Sequence, residues 1–165
     1  MVIGVPLTAS SQTLGGLRPA STAPRDFGFL TGFRTGLNVG HLTGVDADDR
    51  FNWEADLSVD IDLVDIGFIR TNLFVGVETI VGSELRAVDP NQNNYTVDSS
   101  VFIRLPRGEL MTTFHHVSRH LGDRSGLESI SWNMLGFGYG DTFTLGGGIA
   151  LDAGGRAMWT VERAG

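Results

Sequence analysis

Residues 51–63 read Phe51-Asn52-Trp53-Glu54-Ala55-Asp56-Leu57-Ser58-Val59-Asp60-Ile61-Asp62-Leu63. Every odd position is apolar. Every even position is polar, and Glu54, Asp56, Asp60 and Asp62 are acids. A period of two puts the two sets on opposite faces of a β-strand. Thirteen residues are long for a strand in a small soluble sandwich. They suit a tilted strand that crosses a bilayer with lipid on one face and a watery lumen on the other.

Similar alternation recurs along the chain. Residues 1–25, rich in Ser, Thr, Gly, Ala and Pro, read as a flexible lead-in, and residues 26–165 as one β-barrel domain. Eight strand-like segments are expected: 26–40, 51–63, 68–81, 96–105, 109–118, 127–139, 142–151 and 156–163. No helical period of 3.6 appears. The connections alternate long (41–50, 82–95, 119–126) and short (64–67, 106–107, 140–141), as in outer-membrane barrels with tight periplasmic turns and longer outside loops. The expected fold is an all-β antiparallel meander that closes as a transmembrane β-barrel of eight strands, or forms the N-terminal eight of a larger one. Lumen residues such as Arg34, Asp56, Asp60 and Arg70 are expected to pair across strands. Phe51, Trp53, Trp132, Tyr139 and Trp159 resemble interfacial girdles. A soluble lipocalin-like barrel is the alternative, since it alternates too.

Bulk properties bound the function. The net charge of −7, with all 12 bases Arg and no basic cluster, argues against a nucleic-acid partner. Absence of Cys removes disulfides, Cys–zinc sites and thiol catalysis. Apolar stretches are too short for a transmembrane helix. The opening Met1-Val2-Ile3-Gly4-Val5-Pro6-Leu7 lacks the basic and long apolar parts of a secretory signal. An outer-membrane location therefore implies a removed signal or a fragment. The end, Thr160-Val161-Glu162-Arg163-Ala164-Gly165, lacks the terminal aromatic usual in outer-membrane strands. That suits a larger barrel or a trimmed terminus.

Chemistry concentrates at Phe114-His115-His116-Val117-Ser118-Arg119-His120-Leu121-Gly122-Asp123, which holds three of the four His. A two-residue hairpin at Pro106-Arg107 pairs Leu105 with Gly108, Ile103 with Leu110, Val101 with Thr112 and Ser99 with Phe114. The lipid face then continues as Leu110, Thr112, Phe114, His116 and Ser118. On the sixth segment Ile130, Trp132 and Met134 share a face with Glu128. Loop closure is expected to bring Glu128 beside His116 and Ser118. That set suits ester hydrolysis: Ser118 as nucleophile, His116 as general base, Glu128 orienting the imidazole. His115 and His116 point to opposite faces, so a three-His metal site with His120 needs a bulge. His120 and Asp123, with His115 and Arg119 as accessories, equally suit loop ordering through turn hydrogen bonds.

His116-Val117-Ser118 plus Glu128 resembles the outer-membrane lipid A deacylases, with Arg119 where that family usually has Asn. The resemblance implies removal of an acyl chain from outer-membrane lipid by a strand-borne His-x-Ser and a Glu on the next strand. The longer string His116 to Asp123 is similar to the His-x-Ser-Ser-His-Leu-Gly-Asp signature of bacterial outer-membrane barrels with more than eight strands, which brings no activity with it.

Elsewhere the signals are weak. Gly146-Gly147-Gly148 has no helix after it and is no phosphate cradle. Asp46, Asp48 and Asp49 lack the ligand spacing of an EF-hand. The acids 54, 56, 60 and 62 suit a cation-tuned lumen, although eight strands leave a filled one. No cofactor and no resident metal are expected. Three functions stay open: a lipid-facing ester hydrolase acting on lipid A or phospholipid, a non-enzymatic structural, adhesive or transport barrel, and a soluble small-ligand barrel.

Overall fold

The computed structural model describes residues 26–43, 51–120, 129–146 and 149–164. The expected lead-in 1–25 lies outside them. Seven strands form one antiparallel meander in chain order: β1 (Gly28–His41), β2 (Trp53–Asp65), β3 (Ile69–Gly82), β4 (Asp89–Arg104), β5 (Glu109–His120), β6 (Ile130–Gly146) and β7 (Ile149–Ala164). Among the described residues no helix is long and apolar enough to cross a membrane. The sheet is open: β1 and β7 are its two edges and do not pair.

Among the described residues seven strands cover the eight expected segments, because Gly140-Asp141 is not a turn. β6 continues through it, paired as Gly140 with Gly154 and Thr142 with Asp152, and the Thr142 hydroxyl donates to Asp152 at 2.6 Å. Two glycines facing each other in a ladder look, in sequence, like turn residues. β4 also starts earlier than expected, at Asp89. Its Asn-rich beginning is a poor strand former by propensity, yet neighbours hold it: Thr79 donates to Asn93 at 2.9 Å and Asn94 donates to Glu78 at 2.6 Å. The Pro106-Arg107 turn is as expected. Ile103 pairs with Leu110, Val101 with Thr112 and Ser99 with Phe114, and Leu105 N donates to the Gly108 carbonyl at 3.1 Å.

The faces are inverted relative to a water-soluble sheet. Among the described residues only Phe102 and Met111 are buried apolar side chains, whereas Asp62, Arg70, Asn72, Asp98, Glu109 and His115 are buried. The outward face carries exposed Phe33, Leu37, Leu57, Phe114, Phe137 and Trp159. A bulge between Asp62 and Val64 turns Asp65 to the same inner side as Asp62, both 1% exposed.

Inner side chains reach across strands that do not touch. Arg70 on β3 pairs with Asp62 at 3.0 Å and with Glu109 on β5 at 2.7 Å, and its guanidinium lies 3.7 Å from the Phe102 ring centroid. Arg104 on β4 holds Asp65 on β2 at 2.7 Å. Its Nε lies 3.3 Å from Glu109, within ion-pair range but without hydrogen-bond alignment. Arg156 on β7 reaches Asp98 on β4 at 3.1 Å. Three strand spacings cover about 14 Å in a flat sheet, too far for an Arg–Asp pair. The sheet is therefore curled, with its polar face concave.

Candidate functional site

Even positions of β5 point outward and odd ones inward. Glu109, Met111, Thr113 and His115 are buried, while Leu110, Thr112 and Phe114 are exposed. His116 and Ser118 thus lie on the outward face near the long-loop end, as the hairpin register predicts. His115 faces inward, where Nδ1 hydrogen-bonds Asp98, whose other carboxylate oxygen takes Arg156.

The structure changes the partner of Ser118. Its Oγ is 2.7 Å from His120 Nε2, and His120 packs edge-on against the Tyr95 ring, centroids 5.4 Å apart. His116 instead binds Asn133, Nδ1 to Oδ1 at 2.7 Å, and Asn133 Nδ2 donates to Glu162 at 2.8 Å. Arg119 is half-buried on the inner face, its Nε donating to Asn94 at 3.3 Å. Glu128 and Asp123 lie outside the described residues. No carboxylate among the described residues hydrogen-bonds His116 or His120.

The expected face of the sixth segment is reversed. Ser118 pairs with Ser131 and His116 with Asn133, so the odd positions of β6 share the outward face. Ile130, Trp132 and Met134 belong to the inner one. Both faces of this strand are apolar in sequence, so alternation gives no way to assign them. Only the register does. A neutral His120 protonated on Nδ1 presents Nε2 to the Ser118 hydroxyl, the contact through which a general base removes a serine proton.

The concave face holds a second polar group, within the acidic lumen row expected on β2. A cavity of about 480 Å³ is lined by Glu54, Asp56, Glu78, Asn94, His115, Arg119 and Arg156 among others. Carboxylate oxygens of Glu54, Asp56 and Glu78 lie within 4.8 Å of one another. They are the residues able to hold a divalent cation, which favours such hard oxygen donors. The signal was the i, i+2 pair on β2 together with the cross-strand pairing of Asp56 with Glu78. Of the expected lumen pairs, Arg34 meets Asp60 at 2.7 Å. Asp56 joins the acid group instead. No family model, no curated protein and no solved structure matches the chain.

Proposed function

We propose that this chain forms a lipid-facing wall of a bacterial outer-membrane β-barrel. The observation that carries the reading is the inversion of faces. Leu37 is 71% exposed and Phe33 66%, while Arg70 is 1%. In water an apolar face of that extent is an association liability; in a bilayer it is the surface that lipid solvates. A soluble small-ligand barrel turns its apolar residues inward, so the polar concave face weighs against that alternative. β1 and β7 run in the same direction and are unpaired. A fully antiparallel closure then takes an odd number of further strands between them.

A second reading is favoured by one contact, Ser118 Oγ to His120 Nε2 at 2.7 Å. On it, the wall carries a lipid ester hydrolase in which Ser118 attacks the acyl carbonyl of lipid A or a phospholipid and His120 takes the hydroxyl proton. His120 then returns that proton to the leaving alkoxide, and water releases the acyl group from the serine. Mass spectrometry of lipids from membranes holding the native chain or its Ser118→Ala variant tests this. Acyl loss confined to the native chain supports the hydrolase. Identical lipids, with both proteins inserted, leave the non-enzymatic barrel.

A further inference from the structure

On the outward face Tyr95 of β4 stands directly opposite Ser118 of β5, and Asn93 opposite His120. His120 is therefore the diagonal neighbour of Tyr95, a separation of about 7–8 Å that aromatic side chains bridge. The two rings meet. Their centroids are 5.4 Å apart and their planes cross at 75°, the edge-to-face arrangement that aromatic pairs prefer. Ser118, opposite the one and two residues from the other, completes the group, its Oγ 2.7 Å from His120 Nε2.

His120 needs an orienting neighbour. It is the last residue of β5 and is exposed. A side chain there has three staggered χ1 wells open to it, and it must lean back along the strand to bring Nε2 to the hydroxyl two residues earlier. A serine hydrolase orients its base with a third group, commonly a carboxylate. Among the described residues His120 instead has the Ser118 hydroxyl and the Tyr95 ring. Tyr95 is well placed to impose an orientation, because it sits within β4 with Val77 of β3 opposite it on the other side. An aromatic pair of this geometry biases a rotamer equilibrium by about two- to twelvefold.

We propose that Tyr95 is the positioning residue of this site: its ring holds the His120 imidazole with Nε2 on the Ser118 hydroxyl. The proposal rests on the hydrolase reading of Ser118 and His120. Tyr95 transfers no proton in it and acts only through His120. It therefore affects turnover rather than binding, since a misplaced imidazole leaves the lipid bound but the hydroxyl proton in place.

The test uses the full chain inserted in vesicles that carry a phospholipid with a fluorescent ester-linked acyl chain. Initial rates over a range of its surface concentration, normalised to inserted protein, separate kcat from KM. Tyr95→Leu keeps an apolar side chain on the lipid face but removes the ring. It is expected to lower kcat about five- to tenfold, with KM changed less than about twofold. Tyr95→Phe keeps the ring and returns kcat to within about twofold of the native chain. In a His120→Ala background Tyr95→Leu is expected to lower the residual rate no further, because the two changes act through one side chain. Equal losses with Phe and Leu, an unchanged kcat with Leu, or the same loss with and without His120 overturns the positioning role and leaves the hydrolase standing. Absence of Ser118-dependent hydrolysis by the native chain removes both.

Discussion

Arg70 and Glu109 sit on β3 and β5, strands that are not neighbours, yet they form a two-pronged ion pair of 2.7 and 3.1 Å with both side chains 1–2% exposed. The pair spans β4 above Phe102, and Asp62 takes a further Arg70 nitrogen. It ties four strands together on the concave face at the short-turn end.

Arg70→Ala removes the guanidinium that bridges two buried acids and leaves Glu109 only the 3.3 Å approach of Arg104 Nε. A loss of about 3–5 kcal/mol is expected, the usual consequence of breaking a buried pair from one side. Reversible urea unfolding of the inserted protein measures it. Glu109→Gln costs less, since Arg70 keeps Asp62. Equal and small effects of both changes would show that the network does not hold the curl.

Gly108 closes the turn between β4 and β5 with φ at +66°. A Cβ there collides with the Gly140 carbonyl oxygen and lies 2.7 Å from the Tyr139 hydroxyl. Gly108→Ala is expected to destabilise by about 2 kcal/mol or more, from left-handed backbone strain plus the clash. The same unfolding experiment reads it. Gly40 has open space around its Cβ position, so Gly40→Ala is the matched control and changes stability little.

The hydrolase reading separates the two outward histidines. His120→Ala is expected to lower ester hydrolysis by about 10²–10⁴-fold, the range for loss of a general base. His116→Ala changes it less than about tenfold, since His116 binds Asn133 rather than Ser118. Initial rates on a vesicle-borne ester, normalised to inserted protein, measure both. A larger loss with His116→Ala would reverse the assignment.

The sequence is informative wherever one face of a strand is polar and the other is not. β2 is legible residue by residue because polar and apolar side chains alternate without a break up to the bulge at Asp62. The hairpin at Pro106-Arg107 transfers that face assignment to β5 through its register. β6 is illegible for the opposite reason, since Trp132 and Met134 on one face and Leu135 and Phe137 on the other are all apolar. The partner of Ser118 was ambiguous by symmetry. His116 and His120 are both two residues away on the same side of the strand, and spacing cannot choose between them. Asn133 makes the choice by holding His116. The Glu54, Asp56 and Glu78 group needed a cross-strand pairing that no local pattern contains.

The inversion of faces is tested most directly by fluorescence quenching in vesicles of lipids brominated along the acyl chain. The chain has three tryptophans. Trp53 and Trp159 are half-exposed on the outward face, 50% and 47%, and Trp132 lines the inner cavity. With variants keeping one tryptophan each, the account predicts strong quenching of Trp53 and Trp159 and little of Trp132. Stronger quenching of Trp132 than of the other two, or none of any while the protein stays with the vesicles, would contradict it.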